Sequence, residues 1–204
     1  MTHPLTSPYL GRRVLWAYCI YLVLVVLAFG IGFWWLPRGV FLATPITFLG
    51  RVAGQPSSLL SQYVATVGFN LLLAFGLGAG LNLQRVRGLP TGYVFLFVQG
   101  FISGLIAGTN SFANPVISPY TREGWWLAFR IQHLEMLGYA LIIASTVAIG
   151  LWDYSDWLPW RARETRLKTW RAIRLTRGEV LGILLGVVVI GLAGFNETMM
   201  GEAV

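Results

Sequence analysis

Long apolar stretches alternate with short polar connections along the whole chain. A helix needs about 20 apolar residues to cross a bilayer, and stretches of about that length recur in this sequence. The pattern predicts an all-α fold, a single polytopic membrane helix bundle that occupies residues 1–204. About five transmembrane helices are predicted, at residues 14–35, 61–83, 91–108, 126–151 and 179–196.

Composition also indicates a membrane protein, independently of where the apolar stretches begin and end. Hydrophobic residues make up 56% of the chain and charged residues 11%, and the mean hydropathy is +0.66. That leaves too little polar surface to cover a soluble globule of 204 residues. The first apolar stretch, 14–35, is too long for the core of a cleavable signal peptide, so we expect it to remain as an anchor. The single cysteine, Cys19, excludes an intrachain disulfide.

The basic residues are distributed unevenly between the two sides of the predicted bundle. Eleven of the 15 Lys and Arg residues fall at the N-terminus, between the second and third stretches and between the fourth and fifth, and four fall on the other side. This positive-inside bias predicts a cytoplasmic N-terminus and an outer C-terminus, with Glu197 and Glu202 in an outer acidic tail. The net charge of +7 is therefore explained by topology, and no nucleic-acid partner is predicted.

The basic segment 157–177 is the longest polar part of the chain. Trp160, Leu167, Trp170 and Ile173 share a broad helical arc, which favours a helix lying on the anionic inner leaflet. A solvated connector and a docking site for a cytoplasmic partner are the alternatives. The residues predicted to contact inner-leaflet headgroups are Arg161, Arg163, Arg166, Lys168, Arg171 and Arg174.

The outer connections are rich in turn-forming residues. Proline and glycine interrupt residues 36–60, and the middle part, 41–52, is too short to span, so it predicts short interfacial helices. Ser57 or Ser58 is expected to cap the second span. The outer loop 109–124 is expected to be irregular.

Glycines at four-residue spacing predict close helix contacts. In lipid, a missing side chain lets two backbones approach, because no hydrophobic driving force separates helix from lipid. The second, third and fifth spans are therefore predicted to lie in the bundle interior or at an oligomer interface. The glycines concerned are Gly76, Gly80, Gly100, Gly104, Gly108, Gly182 and Gly186.

Few polar residues lie at membrane depth, and they predict an interior polar cluster of Asn70, Gln99, His133 and Glu135. Amides in such positions typically join helices by hydrogen bonds, whereas Glu135 suits a proton path. Apart from Glu179 at the first position of the fifth span, the predicted spans contain no second acidic residue, which weighs against transport. His133 and Glu135 are two positions apart and cannot face one metal ion, so no metal site is predicted.

No catalytic motif is present, so a non-enzymatic protein without a cofactor is expected. The sequence contains no phosphate-binding glycine loop, no HExxH and no GxSxG. One histidine is in the N-terminal tail and the other in the fourth span.

Several short patterns in residues 60–200 resemble the stage II sporulation protein M family of multi-pass bacterial membrane proteins. Gln132-His133-Leu134-Glu135 is similar to the family's Pro-His-Gly-x-x-Glu stretch, with Gln132 in place of proline, Leu134 in place of glycine and a spacing of two rather than four. The other matching patterns are Gly68-Phe69-Asn70, the glycines from Gly76 to Gly80 and from Gly100 to Gly108, and Gly194-Phe195-Asn196-Glu197.

The resemblance implies a non-catalytic membrane scaffold or assembly subunit in the bacterial cytoplasmic membrane. Its expected partners are the lipid bilayer and other membrane proteins, in a homo-oligomer or a larger complex. Two alternatives remain open. One is a transporter or channel component that uses an intramembrane carboxylate, and the other is an accessory subunit of a larger energy-transducing complex.

Overall fold

The structure, a computed structural model, describes residues 3–44, 58–112, 118, 120–158 and 160–201. These residues form a mostly helical bundle, in which two of the five long helices contain a π-helical segment. The helices are α1 (Leu10–Trp35), α2 (Leu59–Leu72, continued by the π-helical Leu73–Ala79), α3 (Gly92–Gly108), α4 (Arg122–Ala128, the π-helical Phe129–His133 and Leu134–Ser145) and α5 (Arg177–Gly201).

Four of these helices are long and apolar enough to cross a membrane: Leu10–Trp35, Leu59–Ala79, Arg122–Ile149 and Arg177–Met199. α3 is also apolar but has only 17 residues, about 25 Å at 1.5 Å per residue, against about 30 Å for the hydrocarbon core. The predicted helical membrane-protein fold is confirmed at this level. The fifth crossing, at α3, stays a prediction.

α5 extends beyond the predicted span 179–196 and ends at Gly201. The Asn196 side-chain amide donates a hydrogen bond to the Arg130 carbonyl oxygen on α4 (3.2 Å), which holds the end of α5 against the bundle. Glu197, which the sequence placed in an outer acidic tail, therefore lies within a helix long enough to span. Glu202 is outside the described residues.

A small sheet, which the sequence analysis did not predict, lies where the helices end on the basic side. Strands β1 and β2 form a hairpin between α2 and α3, and β3 and β4 lie between α4 and α5. Arg87 and Gly88, the two loop residues, both have positive φ (53° and 79°), as the tightest hairpin turns require. The strands are β1 (Gln84–Val86), β2 (Leu89–Pro90), β3 (Trp152–Tyr154) and β4 (Glu164–Arg166), in the order β2-β1-β3-β4, with β1 and β3 parallel.

The described part of the basic segment 157–177 differs from the predicted surface helix. It forms β4 and a 3₁₀ turn at Trp170–Ala172 before α5 begins. The Leu167 N–H donates to the Leu151 carbonyl oxygen (2.8 Å) and the Ser155 N–H to that of Arg163 (3.1 Å). Pairing with β3 thus satisfies backbone groups that a helix would have satisfied internally.

The predicted interfacial helices at 41–52 fall mostly outside the described residues. The described residues 37–44, which include the first four of that range, form a series of turns, in which Val40, Leu42 and Thr44 each donate a backbone N–H to the carbonyl oxygen three positions earlier. Ser58 is the cap of α2: its hydroxyl accepts the Ser61 N–H at 3.2 Å, as one of the two predicted capping serines.

α4 is the central helix of the bundle. Every residue from 138 to 147 is buried, including Tyr139, Ile142 and Ile143, which are fully covered. A helix that is buried on all sides must be surrounded by protein rather than by lipid. α1, α2 and α5 instead expose many apolar side chains, as helices facing acyl chains do.

Close contacts between helices are made at glycines on α3 and α5. A Cβ added to Gly104 would collide with the Val25 carbonyl oxygen on α1, and one at Gly108 with that of Phe29. On α5, a Cβ at Gly186 would lie 2.9 Å from the Gly138 carbonyl oxygen of α4. The remaining contacts are those of Gly100 with Tyr21 of α1, and of Gly182 with Ser145 of α4 and Leu10 of α1.

The predicted pair on α2 behaves differently. The nearest described atoms to a Cβ at Gly76 or Gly80 belong to the same helix, Leu72 at 3.8 Å and Phe75 at 3.5 Å. The α2 glycine that meets another helix is Gly78, where a Cβ would lie 2.8 Å from the Ile143 side chain.

Gly104→Ala is expected to destabilise the bundle by about 1–3 kcal/mol, because the added methyl group meets backbone atoms of α1 that cannot rotate away. Gly76→Ala is the matched control and should be neutral or stabilising, by at most about 1 kcal/mol, since alanine favours helix and no other described helix is close. Unfolding of the purified variants in detergent measures both. Equal shifts would contradict the assigned α1–α3 contact.

Candidate functional site

A polar cluster joins α1, α2, α4 and α5 inside the bundle. His133 ends the π-helical segment of α4 and is 7% exposed. Its ring Nδ1 and the Tyr21 hydroxyl of α1 share a hydrogen bond of 3.2 Å. The Tyr18 hydroxyl donates to the His133 carbonyl oxygen at 3.1 Å. Single π-helical turns often occur at functional sites, because they leave backbone groups available to other partners.

Asn70 connects α2 to the same cluster. Its side-chain oxygen accepts a hydrogen bond of 2.9 Å from the Tyr139 hydroxyl on α4. Tyr139 is fully buried, and its ring stacks on Phe95 of α3 with 6.0 Å between centroids. The amide therefore acts as an interhelical hydrogen-bond partner, the role expected of amides at membrane depth.

Glu135 lies half-buried one helical turn before Tyr139. Its carboxylate is within electrostatic range of the Tyr21 and Tyr139 hydroxyls, and of the Glu197 carboxylate on α5. Among the described residues, no hydrogen bond or ion pair involves Glu135. The structure thus places two carboxyl groups of candidate membrane-spanning helices within electrostatic range of each other.

Three of the four predicted cluster residues lie near these two tyrosines. His133 shares a hydrogen bond with Tyr21, Asn70 accepts one from Tyr139, and Glu135 is within electrostatic range of both tyrosines. Gln99 is half-buried on α3 and makes no hydrogen bond within the described part of the chain. The two tyrosines were not singled out from the sequence. The signal that the sequence offered for them was a hydroxyl-bearing ring inside an apolar stretch. Tyr21 lies three residues after Tyr18, and Tyr139 lies four residues after Glu135.

A buried ion pair closes the basic end of the bundle. The Arg13 guanidinium of α1 donates to the Glu179 carboxylate of α5 at 2.8 Å, and the two side chains are only 6% and 7% exposed. Glu179 also accepts the Thr176 N–H (2.9 Å), and the Thr176 hydroxyl accepts the Glu179 N–H (3.2 Å). This reciprocal arrangement is a capping box, whose Thr-x-x-Glu pattern was readable in the sequence.

A second buried amide, Asn82, ties three helices together just before β1. Its NH₂ group donates to the Ile143 carbonyl oxygen (2.7 Å) and to the Thr146 hydroxyl (2.9 Å) at the end of α4. Its oxygen accepts the N–H of Gly92, the first residue of α3, at 3.1 Å. The side chain is fully buried, so these contacts compensate its removal from water.

Basic side chains from the connections that form the sheet bind to the end of α4. The Arg85 guanidinium donates to the Val147 carbonyl oxygen (2.9 Å), and the Lys168 ammonium to that of Ala148. Burial and the nearby Arg85 guanidinium lower the pKa of Lys168, against a weaker opposing effect of Glu179. Cations at the end of a helix are favourable, because its last carbonyl groups carry partial negative charge.

The described residues contain no group of three or more His, Cys, Asp or Glu side chains placed to hold a metal ion. The chemistry that the central cluster can perform is hydrogen bonding and proton exchange among tyrosine, histidine and carboxyl groups. Comparisons of this chain with protein-family models, with curated proteins and with solved structures gave no match.

Proposed function

We propose that this protein crosses the bacterial cytoplasmic membrane five times, with its N-terminus inside and its C-terminus outside, and serves as a non-catalytic scaffold or assembly subunit for other membrane proteins. The resemblance of residues 60–200 to the stage II sporulation protein M family supports the scaffold role. The eleven basic residues against four support the orientation.

Helix directions support five crossings. Along α1 and α3, Tyr21 meets Gly100 and Gly32 meets Gly108, so these helices run the same way. The contacts of Asn70 with Tyr139 and of Gly78 with Ile143 show that α2 and α4 also run together. α4 and α5 run in opposite directions, because Gly138 meets Gly186 while Ser145 meets Gly182. An alternation of direction is what successive crossings require.

The enclosure of α4 is the observation that carries the scaffold proposal. Residues 138–147 are buried without a break and include polar groups, Ser145 and Thr146, that are covered by protein. Close-packed interiors resist deformation. The inner half of the bundle therefore suits a rigid support better than a water-filled pathway along its central helix.

Partner identification tests the scaffold role. We expect the chain, crosslinked in native membranes and purified in a mild detergent, to carry other membrane proteins in near-stoichiometric amounts and to migrate at high mass on a native gel. An unrelated polytopic protein purified with the same tag is the control. Recovery of the chain alone at its monomer mass would contradict the proposal.

The proximity of Glu135 and Glu197 favours transport as a second candidate function. Glu135 is the only carboxyl group in the interior of the predicted spans, which weighs against transport, but α5 extends far enough to include Glu197 as well. A carboxyl pair with hydroxyl groups nearby is an arrangement through which protons can be exchanged in a membrane.

Flux through the reconstituted protein distinguishes the two functions. If the chain carries protons, vesicles with an imposed membrane potential and an internal pH-sensitive dye should acidify or alkalinise faster than empty vesicles, and Glu135→Gln should remove most of that difference. Arg38→Ala, an exposed change at the outer end of α1, is the control and should leave the flux unchanged. A scaffold shows no flux above that of empty vesicles.

A further inference from the structure

The inner-face platform, which we define as residues 152–158 and 160–174, is attached directly to the membrane-spanning helices. The Leu151 N–H just before it donates to the Leu83 carbonyl oxygen at 2.7 Å, next to the end of α2. Lys168 is bonded to the Ala148 carbonyl oxygen after α4, and α5 begins three residues after the platform. With both ends fastened at helix termini, the platform is held beside the ends of the candidate membrane-spanning helices.

The structure separates the platform's cations into two groups. Lys168, Arg166 and Arg174 donate to backbone carbonyl oxygens of the protein itself. Arg161, Arg163 and Arg171 are exposed, and within the described part of the chain their guanidinium groups have no acceptor. The sequence alone predicted headgroup contact for all six without distinction.

Large aromatic side chains accompany the second group. Trp160 is 78% exposed and precedes Arg161, and Trp170 is 57% exposed and precedes Arg171. Tryptophan is enriched at membrane interfaces, because its ring is apolar while its N–H remains polar. Arginine binds phosphate oxygens through two parallel hydrogen bonds. The exposed carboxylate of Glu164 already accepts from the Tyr154 hydroxyl at 3.3 Å.

From these contacts we infer that the platform is a binding site for the phosphate headgroups of anionic lipids in the inner leaflet, with Arg161, Arg163 and Arg171 as the phosphate-contacting residues. Adjacent tryptophans insert at the boundary between headgroups and acyl chains and hold the arginines at phosphate depth. The inference uses the orientation given under the proposed function, and is independent of the scaffold role. It assigns the half-buried Lys168 to folding, while Arg166 and Arg174 remain exposed beside the nearby carbonyl oxygens that they contact.

Lipid retention tests the assignment. The full chain is reconstituted in bilayers of phosphatidylcholine and phosphatidylglycerol, extracted in mild detergent, and its bound lipids are counted by mass spectrometry. We expect enrichment of phosphatidylglycerol over phosphatidylcholine. The triple variant R161Q/R163Q/R171Q should lower that enrichment at least about fivefold. The matched outer variant R38Q/R122Q/R130Q, which also removes three exposed charges, should leave it unchanged.

Three results would overturn the assignment: an unchanged enrichment in the inner triple variant, an equal loss in the outer one, or loss of a copurifying acidic protein with lipid retention unaltered. If the inner triple variant does not fold, the wild-type protein still tests the assignment. Its phosphatidylglycerol enrichment should fall when the salt concentration rises from about 0.1 to 0.5 M, because salt weakens headgroup contacts. Labelling of Ala162→Cys from outside would disprove the orientation. Labelling from inside without lipid preference would disprove the lipid site alone.

Discussion

Glu179→Ala is expected to lower the free energy of unfolding by about 3–5 kcal/mol, as for other buried ion pairs that lose one partner. The substitution leaves the Arg13 guanidinium, 6% exposed, without its carboxylate at the basic end of the bundle. It also removes the acceptor of the Thr176 N–H at the start of α5. Unfolding of the purified protein in detergent measures the loss.

The exposed pair of Arg87 and Asp156 is the internal control. Its atoms are 3.2 Å apart, but the side chains are 64% and 28% exposed, so Asp156→Ala should cost at most about 1 kcal/mol. Replacing both Arg13 and Glu179 by methionine should recover much of the loss, because no unpaired charge then remains buried. Equal costs for Glu179→Ala and Asp156→Ala would show that the inner pair does not stabilise the bundle.

Asn82→Leu is expected to destabilise the protein by about 2–4 kcal/mol. The Gly92 N–H at the start of α3 loses its acceptor in a site that water does not reach, which costs about 1–3 kcal/mol, and two further hydrogen bonds to the end of α4 are lost. Because these bonds join α2, α3 and α4, the loss should also appear as faster hydrogen exchange at the first turn of α3.

Gln99→Leu provides the comparison for this second substitution. It removes an amide from a half-buried position on α3, where no hydrogen bond is made within the described residues, and should change stability by at most about 0.5 kcal/mol. Equal destabilisation by Gln99→Leu and Asn82→Leu would contradict this explanation. The loss of any buried amide would then account for the effect, rather than the three specific contacts of Asn82.

Hydrophobic pattern alone predicted the helical segments, because a bilayer requires long apolar helices whatever their partners are. The capping serine of α2 was predictable for a similar reason, since its hydroxyl acts within one turn. Four-residue glycine spacing also identified the α3 and α5 contacts. It did not distinguish Gly78 from its neighbours Gly76 and Gly80, because the rotation of α2 depends on which helix packs against it.

Polar residues in the spans were visible from the sequence, whereas their partners were not. His133 is hydrogen-bonded to Tyr21, 112 positions away in the sequence, and Asn70 to Tyr139, 69 positions away. α5 extends past residue 196, which places Glu197 within electrostatic range of Glu135, and its Asn196 bonds to the α4 backbone 66 positions away. The parallel pairing of β1 with β3 likewise joins residues 68 positions apart, which no local periodicity records.

By itself, the sequence predicted a helical membrane protein, the positions of its apolar helices and the connections that are basic, since length, apolarity and charge act locally on lipid and water. Only the tertiary structure decided that Arg13 pairs with Glu179, that Asn82 joins three helices and which arginines of the inner-face platform are left without a protein acceptor. Those outcomes depend on hydrogen bonds between distant residues, whose geometry exists only once the helices have packed.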